Sequence, residues 1–149
     1  MALVDEVSRA IADAMRERNA PRLSALRMLK AALMNREVEK ARALDDAESR
    51  QVVSSLVKQR KDSIEQFAKG GRQDLVDKET AEIAILESYL PPAVDPAAVD
   101  RAVADAIAET GASSVKDLGR VMKAAMARLA GQNVDGKAVN ELARKKLGG

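Results

Sequence analysis

The chain contains no histidine and no cysteine. Imidazole and thiolate groups supply the bases, nucleophiles and ligands of Ser-His, Cys-His, zinc and thiol redox sites, so those sites are excluded. Aromatic residues are scarce as well, with Phe67 and Tyr89 the only two. The apolar share of 46% is therefore mostly Ala, Leu, Val, Ile and Met, a mixture that favours helices over sheets. We predict an all-α fold, with Phe67 as a core contact.

The sequence also lacks long apolar runs and a leader-like start. No run approaches the length needed to cross a bilayer, and the N-terminus has neither the basic nor the apolar region of a secretory signal. The glycines match neither a Walker loop nor the dinucleotide fingerprint, so no cofactor is expected. These absences predict a cytoplasmic protein without a membrane partner.

Helix start and stop signals divide the N-terminal part of the chain. Pro21 is expected to end one helix and begin the next, and Asp45-Asp-Ala-Glu48 has the spacing of a capping box that starts a third. Gly70-Gly71 should end that third helix. Pro91-Pro92 should close a fourth helix, which carries Leu75 to Leu90, because neither proline offers an amide donor. The pattern predicts an N-terminal domain of about four helices over residues 1–91.

Three further helices are predicted after the paired prolines. Asp95-Pro96 supplies an N-cap followed by a proline at the first helical position. Ser114-Val-Lys-Asp117 has capping-box spacing, and Asp135 can cap a last helix. We therefore predict a small three-helix tail domain over residues 95–149.

The charged residues of the first domain are interpreted as solvent-facing. Glu79 and Glu82 lie three residues apart, a spacing that can hold a metal in helix bundles when histidines accompany the carboxylates. Since the chain has no histidine, a charge-balanced surface is the better interpretation. Arg60 is assigned to a similar surface because Asp62 and Glu65 lie nearby in sequence.

Basic residues are concentrated towards the C-terminus. From Lys116 to Gly149 there are eight basic and three acidic residues, whereas residues 1–90 carry sixteen of each. Lys116, Arg120 and Lys123 lie four and three residues apart, so they should line one face of a helix. Such a ridge can contact phosphates. The alternative is ordinary solvated surface, with the last cations offsetting a helix dipole.

Several short motifs, taken in order, resemble a known family. They are Arg60-Lys-Asp-Ser-Ile-Glu65, Gly71-Arg-Gln-Asp-Leu75, Glu82-Ile-Ala-Ile-Leu-Glu87, Tyr89-Leu-Pro91, Ser113 to Lys123 and Asp135 to Leu142. Together they resemble the YqeY-like family and the tail domain of the B subunit of glutamine-dependent aspartyl/glutamyl-tRNA amidotransferase. The resemblance implies an N-terminal helical domain followed by a three-helix tail that helps to hold tRNA.

The function implied by the resemblance is that of a non-catalytic accessory protein that binds tRNA through its tail. Because the tail has no aromatic platform for stacking bases, recognition by phosphate and shape is expected. Backbone amides at the helix starts around Ser114 and Asp135 are expected to contribute. The side chains expected to contact RNA are Lys116, Arg120, Lys123, Lys137, Asn140, Arg144 and Lys145.

The turn Ala130-Gly-Gln-Asn-Val134 departs from the family pattern, since it is one residue longer and lacks the usual cation. Two other functions stay open. One is a component of an amidotransferase, a carbon-nitrogen ligase with glutamine as amido donor, and the other is a helical protein-interaction module that docks another helix through Met and Ala surfaces. A protein partner from the translation machinery would fit either. Independent catalysis is not expected, because neither a nucleophile system for glutamine hydrolysis nor an ATP site is recognisable.

Overall fold

The computed structural model describes residues 1–148, and every regular element in that range is helical. The elements are α1 (Leu3–Arg16), α2 (Ala20–Lys40), α3 (Asp46–Lys69), α4 (Gln73–Glu87), α5 (Pro96–Thr110), a 3₁₀ turn (Val115–Asp117), α6 (Leu118–Arg128) and α7 (Gly136–Lys146). The all-α prediction is confirmed. Within residues 1–148 the β pairing is limited to one isolated bridge, between Ala93 and Asn133. No helix in this range is both long and apolar enough to span a bilayer.

Most helix ends lie where local signals predict them. Asp45 Oδ1 accepts from the Glu48 amide at 2.8 Å, and Glu48 Oε1 accepts from the Asp45 amide at 3.2 Å, so the capping box forms. Asn19 caps α2, with Pro21 in the first turn. Gly111 follows α5 with a left-handed φ of 67°, which glycine adopts at little cost.

Three helix ends differ from the prediction. α1 ends at Arg16, well before Pro21, which was expected to end it. α4 ends at Glu87, so Leu90, which was expected within it, lies beyond its end. Ser114 Oγ accepts from the amide of Lys116 at 3.3 Å rather than from that of Asp117. The residues with capping-box spacing therefore form a more tightly wound 3₁₀ turn, and α6 begins after this turn, at Leu118.

The helices group into two compact units, Met1–Leu90 and Pro91–Gly149. In the first unit, α2 packs against α1, α3 and α4, and α3 packs along α4. In the second unit, α5, α6 and α7 contact one another. The most deeply buried side chains are aliphatic in both: Val7, Leu26, Leu29, Leu33, Val53 and Leu86 in the first, and Val103, Val121 and Val139 in the second. The assignment of residues 1–91 and 95–149 as separate domains stays a prediction.

Phe67 is half-buried and is not part of the buried core, so the expectation for this residue is wrong. The reason lies in the length of α3. This helix has no buried residue after Arg60, so its last turns extend past the layer of aliphatic side chains that forms the core.

A charged cluster lies between α3 and α4 inside the first unit. Arg60 of α3 is 7% exposed, and Glu82 of α4 is 2% exposed. Arg60 Nη2 lies 3.1 Å from Glu82 Oε2, and Arg60 Nε lies 3.7 Å from Glu79 Oε2. The thioether sulfur of Met28, on α2, contacts the same guanidinium. One cation therefore joins three helices.

The interpretation of Arg60, Glu79 and Glu82 as a solvated surface is wrong. Asp62 and Glu65 are exposed, whereas Arg60 turns inward to the carboxylates of α4. Charges at this depth are tolerated only when opposite charges compensate them, because desolvation costs several kcal/mol per ion. The positive charge that a metal would have supplied between the two glutamates comes from Arg60.

We expect Arg60→Ala to lower the free energy of unfolding by about 3–5 kcal/mol, because it leaves Glu82 buried without its counter-ion. Denaturant unfolding of the full chain measures this loss. The control is Lys58→Ala, an exposed cation on the same helix, for which we expect a change of about 0.5 kcal/mol or less. Equal losses for the two variants would contradict the described burial.

A second ionic contact holds the connection between α2 and α3. The Glu48 carboxylate accepts two hydrogen bonds from Arg42, at 2.7 and 2.9 Å, and lies 2.9 Å from Lys40 Nζ. The hydrogen bonds from Arg42, then those from Lys40 and the Asp45 amide, hold the pKa of Glu48 well below its usual range. The end of α2 is thereby tied to the first turn of α3.

The lowered pKa of Glu48 predicts a contribution to acid sensitivity. The carboxylate stabilises the fold above its ordinary pKa of about 4.3, and this stabilisation is progressively lost as the pH falls towards the lower, folded-state pKa. Between about pH 5 and pH 3, the melting temperature of Glu48→Gln should fall less than that of the wild type. The control is Glu17→Gln, whose carboxylate has no ion pair within residues 1–148. If the melting temperatures of the wild type and of Glu48→Gln fell by the same amount over this pH range, the stabilising role of the Glu48 carboxylate would be contradicted.

Candidate nucleic-acid interface

The predicted basic ridge lies on the solvent side of α6 and the 3₁₀ turn before it. Val121 and Ala125 of α6 are fully buried in the second unit. Arg120 and Lys123 are exposed on the side of α6 away from those two residues, and Lys116, in the 3₁₀ turn before the helix, is exposed as well. Helical spacing therefore accounts for the exposure of Arg120 and Lys123, whereas Lys116 lies outside the helix on which it was predicted.

Arg120 already has an anionic partner within the chain. Its Nη2 donates to Asp117 Oδ1 at 2.5 Å, and its Nη1 donates to the carbonyl of Thr110 at 3.5 Å. The hydrogen bond from Arg120, with one from the Ser113 amide, lowers the pKa of Asp117. Asp117 is therefore a charged partner near neutral pH, and the middle of the ridge is largely neutralised.

Helix α5 supplies acidic partners for other basic residues of this unit. Arg128 Nη2 lies 3.0 Å from Glu109 Oε2, and Arg128 Nη1 lies 3.8 Å from Asp105 Oδ2. Lys146 Nζ lies 3.0 Å from Asp100 Oδ1. The excess of basic residues described above was counted from Lys116 onwards, so it omitted these carboxylates. Residues 91–149 as a whole carry nine basic and seven acidic residues. The effective positive charge is smaller than the sequence predicts.

Several polar groups expected to contact RNA are bonded within the chain. Asn140 Oδ1 accepts from Arg144 Nε at 3.1 Å. The Lys137 amide donates to Asp135 Oδ1 at 3.0 Å, and the Lys116 amide donates to Ser114. Because each cap occupies the amide that it accepts from, these helix starts offer a phosphate fewer donors than expected.

The exposed lysines without such partners are Lys116, Lys123 and Lys145. None of the three has an ion pair with another residue of the range 1–148. Arg144 adds a cation whose hydrogen-bond acceptor, the Asn140 amide, is uncharged. Of the seven predicted contact residues, these four carry the charge that a polyanion could meet without breaking an ion pair in the described part of the chain.

The turn between α6 and α7 has a structural task. Asn133 Nδ2 donates to the carbonyl of Pro91 at 2.8 Å, and the Asn133 carbonyl accepts from the Val94 amide at 3.0 Å. Ala93 pairs with the same residue in the isolated bridge. The turn that departs from the family pattern therefore holds the segment before α5 in place.

We expect Asn133→Ala to destabilise the segment Pro91–Val94 by about 1 kcal/mol, because one hydrogen bond is lost. Amide hydrogen exchange at Val94 should become faster, since its acceptor is less firmly held. Gln132→Ala changes the exposed neighbouring residue and serves as the control. Unchanged exchange at Val94 in Asn133→Ala would show that this side chain does not hold the segment.

Comparison with protein families gives a match that covers nearly the whole chain. The family described as Yqey-like protein matches residues 4–147. The chain belongs to the Yqey-like protein family. The match includes both compact units of this Yqey-like protein, and it confirms the resemblance to the YqeY-like family; the resemblance to the amidotransferase B subunit stays a prediction.

Curated relatives of this Yqey-like protein share the name "Altered inheritance of mitochondria protein 41, mitochondrial". The protein of Lachancea thermotolerans is 33% identical over 109 residues, which cover 71% of this chain and 58% of that protein. The protein of Pyrenophora tritici-repentis is 28% identical over 138 residues, covering 91% and 76%. The protein of Kluyveromyces lactis is 40% identical over 77 residues, covering 51% and 42%. In two of these three, the matched region is less than two thirds of the relative's length.

The expectation of a cytoplasmic location is contradicted by these relatives, which are named as mitochondrial proteins. The expectation depended on the absence of a secretory-signal pattern and on a cysteine-free composition. Neither property distinguishes one reducing compartment from another, because compartments are specified by short targeting segments rather than by the helical body of a protein.

Proposed function

We propose that this Yqey-like protein is a non-catalytic accessory protein that contacts tRNA through its second unit. The observation that carries the proposal is the set of exposed lysines without ion pairs in the described range, Lys116, Lys123 and Lys145. The resemblance of this region to the tail of the amidotransferase B subunit supports tRNA as the polyanion. In the proposed complex the protein positions the RNA, and other proteins carry out any chemistry.

The charge pattern favours contacts with phosphates over contacts with bases. Lysine is a point charge on a flexible stem, and it attracts phosphates without reading sequence. Phe67 and Tyr89 both lie in the first unit, so the second unit has no aromatic side chain on which a base could stack. Structured RNA with closely spaced phosphates is the ligand class that fits these side chains.

The small number of exposed cations without ion pairs determines how tightly the second unit is expected to bind RNA. Each phosphate neutralised contributes roughly 0.7–0.9 to the slope of log affinity against log salt concentration. With about three or four contacts, binding should be weak at physiological salt and steeply dependent on ionic strength. Arg120, Arg128 and Lys146 would contribute less, because a phosphate must compete with their present carboxylate partners.

The test is a salt titration of tRNA binding by the full chain, with Lys116, Lys123 and Lys145 each changed to Glu in one variant. Affinity should fall, and the log-log slope should decrease by roughly 0.7–0.9 for each phosphate that the variant no longer neutralises. The matched control changes Lys58, Lys69 and Lys78 to Glu, since these are exposed lysines of the first unit that have no ion pair within residues 1–148.

The control variant has the same change in net charge, so a non-specific effect of charge would weaken both variants equally. Equal weakening would therefore reject a contact at the second unit. A fall in affinity without a change in slope would show that these lysines do not touch phosphate. No detectable binding of tRNA by the wild type at low salt would remove the proposed function altogether.

A further inference from the structure

Helices α3 and α4 both continue beyond the core of the first unit. The last buried residue of α3 is Arg60, and the first buried residue of α4 is Glu82. No residue in the range 61–81, which lies between them in sequence, is buried. We call this range the distal hairpin. It contains the last turns of α3, the turn at Gly70 and Gly71, and the first turns of α4.

The large apolar side chains of the distal hairpin are covered only in part. Four of them are half-buried, and none of the four is among the residues that pack against the aliphatic core of the first unit: Ile64, Phe67, Leu75 and Val76. Because α3 packs along α4, the facing helix of the hairpin provides their cover. Each helical segment of the hairpin has about two and a half turns, a length that is marginal in water without a buried face. Much less apolar contact therefore holds the hairpin closed than holds the core.

The polar contacts at the far end of the distal hairpin are local. Arg72 Nη2 lies 3.0 Å from Asp74 Oδ2, and both side chains are more than half exposed. Gln73 Nε2 donates to Asp77 Oδ1 at 2.7 Å. Both contacts join neighbours in sequence, so neither ties the hairpin to another helix. Exposed ion pairs of this kind also contribute little to stability.

The buried ion pair lies at the inner end of the distal hairpin. Arg60 Nη2 lies 3.1 Å from Glu82 Oε2, and Arg60 Nε lies 3.7 Å from Glu79 Oε2. The Glu79 side chain is 19% exposed, and Arg60 Nε makes no hydrogen bond within the described residues. If the hairpin opens as far as residue 81, Glu79 leaves the guanidinium without breaking a hydrogen bond, and Glu82 stays. Opening at this point therefore leaves one buried cation with one buried carboxylate, and no charge is uncompensated.

We propose that the distal hairpin is a separately opening element, which unfolds and refolds while the core and the pair of Arg60 and Glu82 stay in place. Local opening has a lower free energy than global unfolding when few apolar contacts are lost. Opening uncovers the half-buried apolar side chains of the hairpin. The first unit thus has a closed form and a form with an exposed apolar segment, an order-disorder transition of the type found in switching proteins. The lysines of the proposed RNA contact lie in the second unit, so the two proposals can fail independently.

Amide hydrogen exchange of the full chain, measured at low denaturant concentrations, tests this opening. The protection of an amide is the factor by which folding slows its exchange. The amides of Phe67 and Val76 should be protected at least about a hundredfold less than those of Val53 and Leu86 in the core. Their exchange should also depend less on denaturant, because this dependence scales with the surface that an opening exposes.

Equal protection and equal denaturant dependence would show that the distal hairpin opens only by global unfolding, which overturns the proposal. Hairpin amides without any protection would show that the closed form is not populated, and this result overturns it as well.

A substitution in the core provides a sharper test. Leu56 and Phe67 are both half-buried residues of α3, but only Leu56 packs against the core. Leu56→Ala should lower the protection of the Val53 and Leu86 amides at least about tenfold. It should leave the protection of the hairpin amides unchanged, because the contacts of Leu56 persist when the hairpin opens. A loss of protection by the same factor in core and hairpin would contradict separate opening.

The matched substitution in the distal hairpin is Phe67→Asp. It should lower the protection of the Val76 amide at least about tenfold, because a carboxylate replaces a half-buried ring. The protection of Val53 and Leu86 should fall by no more than the factor that protected the wild-type hairpin, since beyond that point the open form is the ground state. Circular dichroism should show a partial loss of helix with cooperative melting retained. Complete unfolding of Phe67→Asp would show that hairpin and core form one cooperative unit.

Two isosteric substitutions locate the inner end of the distal hairpin. Glu82→Gln weakens an ion pair that both forms contain, so it should lower the protection of the core amides and leave that of the hairpin amides unchanged. Glu79→Gln weakens a contact that only the closed form contains, so it should lower the protection of the hairpin amides. If Glu82→Gln lowered hairpin protection as much as core protection, the pair of Arg60 and Glu82 would not stay in place during opening.

Discussion

The buried guanidinium of Arg60 constrains the first unit more than any other single group. The core around it is aliphatic, and aliphatic side chains can shift past one another at modest cost. A charge cannot do so, because separating Arg60 from Glu82 would leave both ions uncompensated in the interior. The ion pair therefore fixes the register of α3 against α4, and the contact with Met28 brings α2 to the same point. In a core without large aromatic rings, electrostatics provides the specificity.

The helices could be predicted from the sequence because their signals are local. A capping box such as Asp45 with Glu48 is complete within four residues, and a left-handed stop such as Gly111 needs one. Arg60 could not be placed in this way. Its local neighbours, Asp62 and Glu65, balance its charge in sequence, whereas its true partners lie on the next helix, and no periodic pattern distinguishes a charge that faces water from one that faces a buried carboxylate.

The same distinction between local signals and long-range contacts applies to the candidate site. That Lys123 faces solvent follows from helical periodicity and from the apolar side chains on the opposite face of α6. The partners of Arg128 could not be predicted, because Glu109 lies 19 residues earlier and the pairing exists only once α5 and α6 are packed together. Likewise, the unusual turn before α7 gave no sign in sequence that Asn133 would bond to Pro91.

The acidic residues of α5 limit the positive charge of the second unit's basic surface. Asp100, Asp105 and Glu109 hold Lys146 and Arg128, and so they act as built-in competitors for any anionic ligand. The electropositive field of the second unit is set as much by these three carboxylates as by the lysines. Replacing one of them by a neutral residue would release a cation without introducing one. A single substitution in α5 would therefore raise the net positive charge of the second unit by one, with every basic residue left in place.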